Sequence, residues 1–238
     1  MYQYSVPVAV RCDYTDSVDT VKPPRDRRAR QAAATRARIL EAAGRLFAQR
    51  GYSATTIDAV ATEADVAVET VYARFKNKRN LLEAYLDVSI VGDAAPVPLL
   101  DRPEVQAVGA ASDQREQMRL LARIMRGVLE RNAPVHAVLR AAIAVDSELE
   151  ALASEDDKRR KATHRAFVEV LMSRGPLRDG LSPADATDTM SALANPETYA
   201  FLTRRRGWTP ARVERWLAEN LTLLLLSPPL QRFDRSGG

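Results

Sequence analysis

The strongest constraint on this chain is a set of apolar residues repeating at helical rather than strand spacing. Ile39, Ala42, Ala43, Leu46 and Phe47 fall at i, i+3, i+4, i+7 and i+8, which places all five on one helix face. The pattern predicts a helix from about Thr35 to Arg50, ended by Gly51, because glycine enters the left-handed conformation after a last turn without steric cost. A second stripe follows at once: Ile57, Val60, Ala61 and Ala64 cover only two turns, behind the hydroxyls of Thr55-Thr56, which suit a helix start. Asp65-Val66 interrupts the pattern, and a third short helix is expected over Ala67 to Phe75. Asn77 is placed to cap a fourth, carrying Leu81, Leu82, Tyr85 and Leu86.

Beyond Pro98 the chain keeps producing helical patterns. Gln114 to Arg131 carries Met118, Leu121, Met125, Val128 and Leu129 on one stripe; Pro134 to Ala144 and Leu149 to Ser173 follow, the last strongly charged in its first half. Ser182-Pro183-Ala184-Asp185 resembles a capping box with proline at the first helical position, and that helix meets Asn195-Pro196, which either kinks or restarts it. Thr209-Pro210 opens a final helix with Val213, Trp216, Leu217, Leu221 and Leu224 on its apolar face. Ten glycines, few β-branched runs and abundant Ala, Leu, Arg and Glu agree with an all-α fold. The expected division is a flexible extension over residues 1–24, a small three-helix domain over 25–80, a larger helical domain over 81–229 and a tail over 230–238.

Charge is unevenly placed. From Lys22 to Asn80 there are 13 Lys and Arg against 6 Asp and Glu, whereas the segments on either side are slightly acidic and the whole chain carries a net +4. A basic excess confined to one segment is the footprint of a domain that meets a polyanionic backbone; charge alone is equally served by a solvated basic face. Arg25, Arg27, Arg28 and Arg30 form either an arm that touches nucleic acid or a basic tail.

Other features remove whole classes of function. Cys12 is the single cysteine, so an internal disulfide and a thiolate zinc site are both excluded, in keeping with a reducing cytosol. No apolar run reaches the length of a membrane span, and Val6 to Val10 is too short for a signal peptide and is followed by Asp13, Asp16 and Asp19. A cytoplasmic protein with no membrane partner is expected. His136 and His164 are the only histidines, with no metal-binding spacing, no Gly-rich phosphate loop and no nucleophile motif elsewhere. An enzyme is therefore not expected, nor a cofactor or metal; the histidines read as surface, core or pocket groups.

Two short helices joined by a tight turn let the second enter a DNA major groove while the first rests over the backbone. Thr56 to Phe75 has the parts: Ala61 is small where the helices cross, Val66 and Val71 fill the space between them, and Asp65 tolerates the backbone angles of the turn. Glu69, Thr70, Ala73 and Arg74 then point away from the core. The fragments Ile39-Leu40-Glu41-Ala42-Ala43, Leu46-Phe47, Gly51-Tyr52, Thr55-Thr56, Val60-Ala61, Ala64-Asp65-Val66, Thr70-Val71-Tyr72, Phe75-Lys76-Asn77-Lys78 and Leu81-Leu82 succeed one another in an order and spacing that resembles the N-terminal domain of the tetracycline-repressor (TetR) family of bacterial regulators. Asp65 departs from it, since the family usually has glycine there. The resemblance implies that Thr56, Tyr72 and Lys78 grip phosphates, a task suited to hydroxyl, phenol and ammonium groups. It implies that Val68, Glu69, Thr70, Ala73 and Arg74 face base edges, with Arg74 suited to guanine, Glu69 to cytosine and Thr70 or Val68 to a thymine methyl. Against these stand plainer roles: a half-buried core ring for Tyr72 and a solvated helix-start lysine for Lys78.

The remainder resembles the C-terminal part of the same family, through Asn195-Pro196-Glu197-Thr198-Tyr199, Arg206-Gly207-Trp208-Thr209-Pro210 and Arg215-Trp216-Leu217, which look like a subgroup common in actinobacteria. This implies a homodimer that binds double-stranded DNA, pairing through two helices over about Pro183 to Arg204 and Pro210 to Leu226, with Met190, Leu193, Val213, Trp216, Leu217, Leu221 and Leu224 at the interface or, alternatively, inside the protomer. It also implies a pocket for an unknown small-molecule effector, lined by Met118, Leu121, Met125, Leu139, Ile143, Phe167 and Leu171, with ordinary core as the plainer role of each. The expected function is a ligand-responsive DNA-binding repressor on a near-palindromic operator; a helical interaction or scaffold protein is the alternative.

Overall fold

The computed structural model describes residues 24–92 and 97–227. The expected extension and the tail over 230–238 lie outside them, apart from Pro24. Within the described residues the chain forms helices α1 (Pro24–Arg50), α2 (Ile57–Glu63), α3 (Val68–Phe75), α4 (Lys78–Val91), α5 (Pro103–Ala110), α6 (Gln114–Ile143), α7 (Leu149–Met172), α8 (Pro183–Leu193), α9 (Pro196–Ala200) and α10 (Pro210–Leu225). A short 3-10 turn at Leu99–Asp101 leads into α5, and a π turn at Phe201–Arg205 extends α9. The all-α expectation agrees with this architecture.

Two hydrophobic clusters divide the molecule. One is built from α1 to α4 around Ile39, Phe47, Val60, Val71, Leu81 and Leu86, and recruits Val135, Leu139 and Ala142 from α6 with Leu149 and Leu152 from α7. The other gathers Met118, Leu121, Met125, Phe167, Leu171, Met190, Leu217 and Leu221 from α6, α7, α8 and α10. Helix α6 therefore belongs to both and packs against α1, α4, α5, α7, α9 and α10. The dividing line drawn in sequence after residue 80 falls inside α4, which is one unbroken helix.

Several boundaries differ from the sequence reading. Helix α1 (Pro24–Arg50) is formed well before Thr35: the Ala, Arg and Gln over residues 27–34 are good helix formers needing no apolar stripe where solvent surrounds them. Thr35 does not begin a helix but lies inside one, its hydroxyl donating to the Gln31 carbonyl at 3.0 Å. Pro134 does not start a new helix either; it sits within α6, which runs on to Ile143. Proline removes one intrahelical bond, and here the break is bridged because the apolar residues before and after it are held in different cores. At Asn195-Pro196 the helix restarts, with Asn195 Oδ1 accepting from the Thr198 N–H at 2.7 Å. Ser182 caps α8 as expected, accepting from the Asp185 N–H at 3.1 Å and donating to its carboxylate at 2.6 Å.

Candidate nucleic-acid interface and adjoining cavity

The α2–α3 pair is assembled by local chemistry. Thr56 Oγ1 accepts from the Ala59 N–H at 3.1 Å and so starts α2. The helix ends in a doubly bonded reverse turn: the Val66 N–H reaches the Ala61 carbonyl at 3.0 Å and the Asp65 N–H that of Thr62 at 3.2 Å. Asp65 takes φ 51°, the left-handed conformation that glycine usually fills and that aspartate tolerates better than most residues. Arg38 of α1 locks this turn from outside, its Nη2 donating to the Ala64 carbonyl at 2.9 Å and the Asp65 carbonyl at 2.7 Å. Arg36 lies over the Phe75 ring and Arg45 pairs with Glu63 at 2.9 Å, so three arginines of α1 brace α2 and α3. Sequence reading missed these roles; the residues looked like part of a basic patch.

Helix α3 is anchored by Val71 and Phe75, both buried. Its opposite side is open: Glu69, Ala73 and Arg74 are exposed, Tyr72 is 49% exposed, and Val68 and Thr70 are half-buried. Among the described residues neither Glu69 nor Arg74 makes a hydrogen bond or an ion pair. Arg74 and Lys76 are exposed at the C-terminal end of α3, and Arg36 lies over the Phe75 ring of the same helix. Lys78 is more committed than its expected role implied: its ammonium donates to the Tyr52 carbonyl at 3.0 Å and sits 4.3 Å from the centre of the Tyr52 ring. Desolvation pushes its pKa below the usual lysine range, with Asp146 pulling the other way. Arg27, Arg28 and Arg30 are exposed on the first turns of α1, as part of a helix rather than a loose arm.

Between α4, α6 and α7, against the second cluster, lies a cavity of about 380 Å³. Its walls come from α4 (Asp87, Ile90, Val91), α6 (Ile124, Met125, Val128, Leu129, Asn132) and α7 (Asp156, Arg159, Arg160, Thr163, His164, Phe167). Of the seven residues expected to line a pocket, only Met125 and Phe167 do so. Met118, Leu121 and Leu171 are sealed in the second core, while Leu139 and Ile143 belong to the first, because α6 rotates those stripes towards α10 and α1 instead. The polar wall was overlooked, although Asp156, Arg160 and His164 recur every four residues on one side of α7.

The polar groups are tightly arranged. Asp156 is 2% exposed and accepts from Arg160 at 3.2 Å. Arg159 reaches Asp87 of α4 through Nη1 at 3.3 Å. Asn132 donates to Ser89 Oγ at 3.0 Å, and Ser89 donates in turn to the Leu86 carbonyl at 2.6 Å. His164 lies 2.9 Å from Ser191 Oγ, whose one hydrogen is given to the Thr187 carbonyl at 2.8 Å. Ser191 therefore accepts from His164 Nδ1–H, and Nε2 is left as an acceptor. Burial, helped by the Arg160 charge, lowers the His164 pKa to about 4, so the ring is neutral at pH 7.

The expected pairing surface is also largely internal to the protomer. Met190, Val213, Leu217 and Leu221 are buried in the second core; Leu193, Trp216 and Leu224 are half-buried, and the outermost apolar group of α10 is Leu223, 72% exposed. Only every third or fourth residue of α10 faces the protomer, so the residues between carry its outer side.

A braced two-helix unit whose second helix leaves one side open, joined by α4 to a larger helical body with a cavity, defines a helix-turn-helix DNA-binding regulator. Residues 39–85 match the family of bacterial regulatory proteins called tetR. The HTH-type transcriptional repressor KstR of Rhodococcus jostii (strain RHA1) is 30% identical over 174 residues, covering 73% of this chain and 76% of KstR. The chain belongs to the tetR family. The HTH-type transcriptional regulator YvkB of Bacillus subtilis (strain 168) is 46% identical over 52 residues, 22% of this chain and 28% of YvkB, so that likeness spans well under two thirds of the relative. A solved chain from Mesorhizobium loti MAFF303099, assigned to TetR-family transcriptional regulators, superposes with a TM-score of 0.63 at 21% identity, over 83% of this chain and 99% of that one, and shares the fold. No helix among the described residues is long and apolar enough to cross a membrane.

Proposed function

We propose that this protein is a cytoplasmic, ligand-responsive repressor that binds a near-palindromic operator as a homodimer and releases it when a small molecule enters the cavity. The carrying observation is that α4 serves both sites. Its N-terminal end, capped by Asn77, follows α3 directly, and its C-terminal half supplies Asp87, Ile90 and Val91 to the cavity wall. A ligand that prefers a different position of Val91 or Asp87 must move α4, and with it the reading head.

DNA recognition rests on the outward side of α3. Arg74 and Glu69 have free donors and acceptors for base edges, Thr70 and Val68 supply contacts for a thymine methyl, and Ala73 permits close approach. Thr56 and Tyr72 flank that face as phosphate contacts, and Lys78, already bonded to the loop before α2, contributes through its remaining donor and its charge. Two copies pair through the outer sides of α8 and α10, where Leu193, Trp216, Leu223 and Leu224 offer apolar surface, because one short helix reads too few base pairs. No catalysis and no cofactor enters this reading.

Selecting bound sequences from a random DNA pool tests it directly. An enriched inverted repeat is the expected outcome; a pool that stays random, or binding whose salt dependence is flat, would sink the proposal.

A further inference from the structure

Resting on the cavity being the effector site, we infer that its ligand is an uncharged, largely hydrocarbon molecule with a hydroxyl group, whose hydrogen His164 Nε2 accepts. The charged groups of the wall satisfy one another. Asp87 pairs with Arg159 at 3.3 Å and Asp156 with Arg160 at 3.2 Å, while Arg159 and Asp156 stand 3.9 Å apart. Two carboxylates and two guanidiniums cancel, so a charged head group would shed its water without meeting an uncompensated opposite charge.

The neutral polar groups are set differently, because two serines orient them. Ser89 gives its hydrogen to the Leu86 carbonyl at 2.6 Å and so accepts from Asn132 at 3.0 Å. That turns the Asn132 amide nitrogen towards Ser89 and leaves Oδ1 without a partner among the described residues. Ser191 acts alike on His164: its hydrogen goes to the Thr187 carbonyl, the ring Nδ1–H goes to it, and Nε2 keeps a lone pair that meets no donor among the described residues. Thr163 has also given its hydrogen, to the Arg159 carbonyl at 3.0 Å. All three line the cavity, and each is left as an acceptor. Asn132 and His164 are only 4% and 5% exposed, yet neither Oδ1 nor Nε2 is sealed from a water-sized molecule, and the cavity is the space beside them. The wall therefore asks for a donor, and a hydroxyl brings one without charge; an amide N–H would bring a carbonyl needing a donor of its own. An imidazole nitrogen is the most basic of these acceptors, which assigns the hydroxyl to His164. Ile90, Ile124, Met125, Val128 and Leu129 present hydrocarbon to the rest of the ligand.

Four probes of matched chain length separate the head groups: octan-1-ol, its isomer methyl heptyl ether, octanoate and octylammonium, each titrated calorimetrically into the full-length protein. Octanol should bind about fivefold more tightly than the ether, which lacks only the O–H, and more tightly than either ion. His164→Asn keeps the bond to Ser191 and removes Nε2, so octanol's advantage should vanish while ether binding, the sign of a folded cavity, persists. In the parent protein the Nε2 nitrogen resonance, read against His136 as the one other histidine, should move upfield on adding octanol and stay in place with the ether. An ether that binds as well as octanol, tighter binding of either ion, an advantage retained in His164→Asn, or an unmoved Nε2 resonance overturns the assignment, as does failure of every probe. The sensor reading is judged separately, by whether filling the cavity with Val128→Phe alters operator affinity.

Discussion

His164 sits neutral in the cavity wall, and acid should expose the cost of keeping it so. Its pKa falls from 6.5 to about 4 on folding, with burial the main cause, the Arg160 charge adding to it and Asp157 opposing. Between those two values the unfolded chain binds a proton that the folded chain refuses. Stability from this group is therefore complete above the unfolded value and is lost as pH falls through 6.5 towards 4. The loss is about 2 kcal/mol at pH 5 relative to pH 8, and saturates near about 3 kcal/mol. The assay is denaturant unfolding at both pH values and one protein concentration, comparing the parent with His164→Asn. The asparagine amide nitrogen reaches the position of ring Nδ1, so the bond to Ser191 survives while the titration is removed. His136, whose pKa burial also lowers, contributes equally to both proteins and cancels. The parent should lose about 2 kcal/mol more than the variant. Parallel losses would show that His164 is not buried and neutral, and the hydrogen-bond direction assigned at Ser191 would fall with it.

Other substitutions probe the DNA side. Arg38→Met removes the two bonds that lock the α2–α3 turn without touching any base, and should weaken operator binding while lowering stability by about 1–3 kcal/mol, read by fluorescence anisotropy and thermal melting; unchanged affinity would mean the turn holds itself. Asp65→Gly relieves the left-handed backbone and should raise stability by about 1 kcal/mol, visible as a higher melting temperature. Arg74→Ala should cost about 1–3 kcal/mol on the selected operator and relax preference at one base position per half-site, whereas an even loss on random DNA would reassign Arg74 to phosphate.

The reading module was legible because its determinants are local. The stripe from Ile39 to Phe47, the Thr56 and Asn77 caps and the Asp65 turn all act within a few residues of chain, where period and capping chemistry operate, and each appears in the structure where the sequence put it. Even the departure at Asp65 could be understood beforehand, since a short acidic side chain tolerates the turn's backbone angles. The first turns of α1 were less visible, because a solvated helix carries no apolar period to detect.

The pocket and the pairing surface followed a different rule. An apolar stripe says that a helix face is covered, but not by which neighbour, so Met118, Leu171, Met190 and Leu217 matched a pocket or an interface as well as they matched a core. Only the packing of α6 against so many partners decided that those residues are sealed inside the protomer. The same packing brings Asp87, Asn132, Arg159 and His164, drawn from three helices far apart in the chain, around one space. Sequence alone thus determined the all-helical class and the helix-turn-helix unit with its exposed second helix. Tertiary structure decided where the cavity lies and what chemistry faces it, because that depends on long-range contacts which no local period encodes.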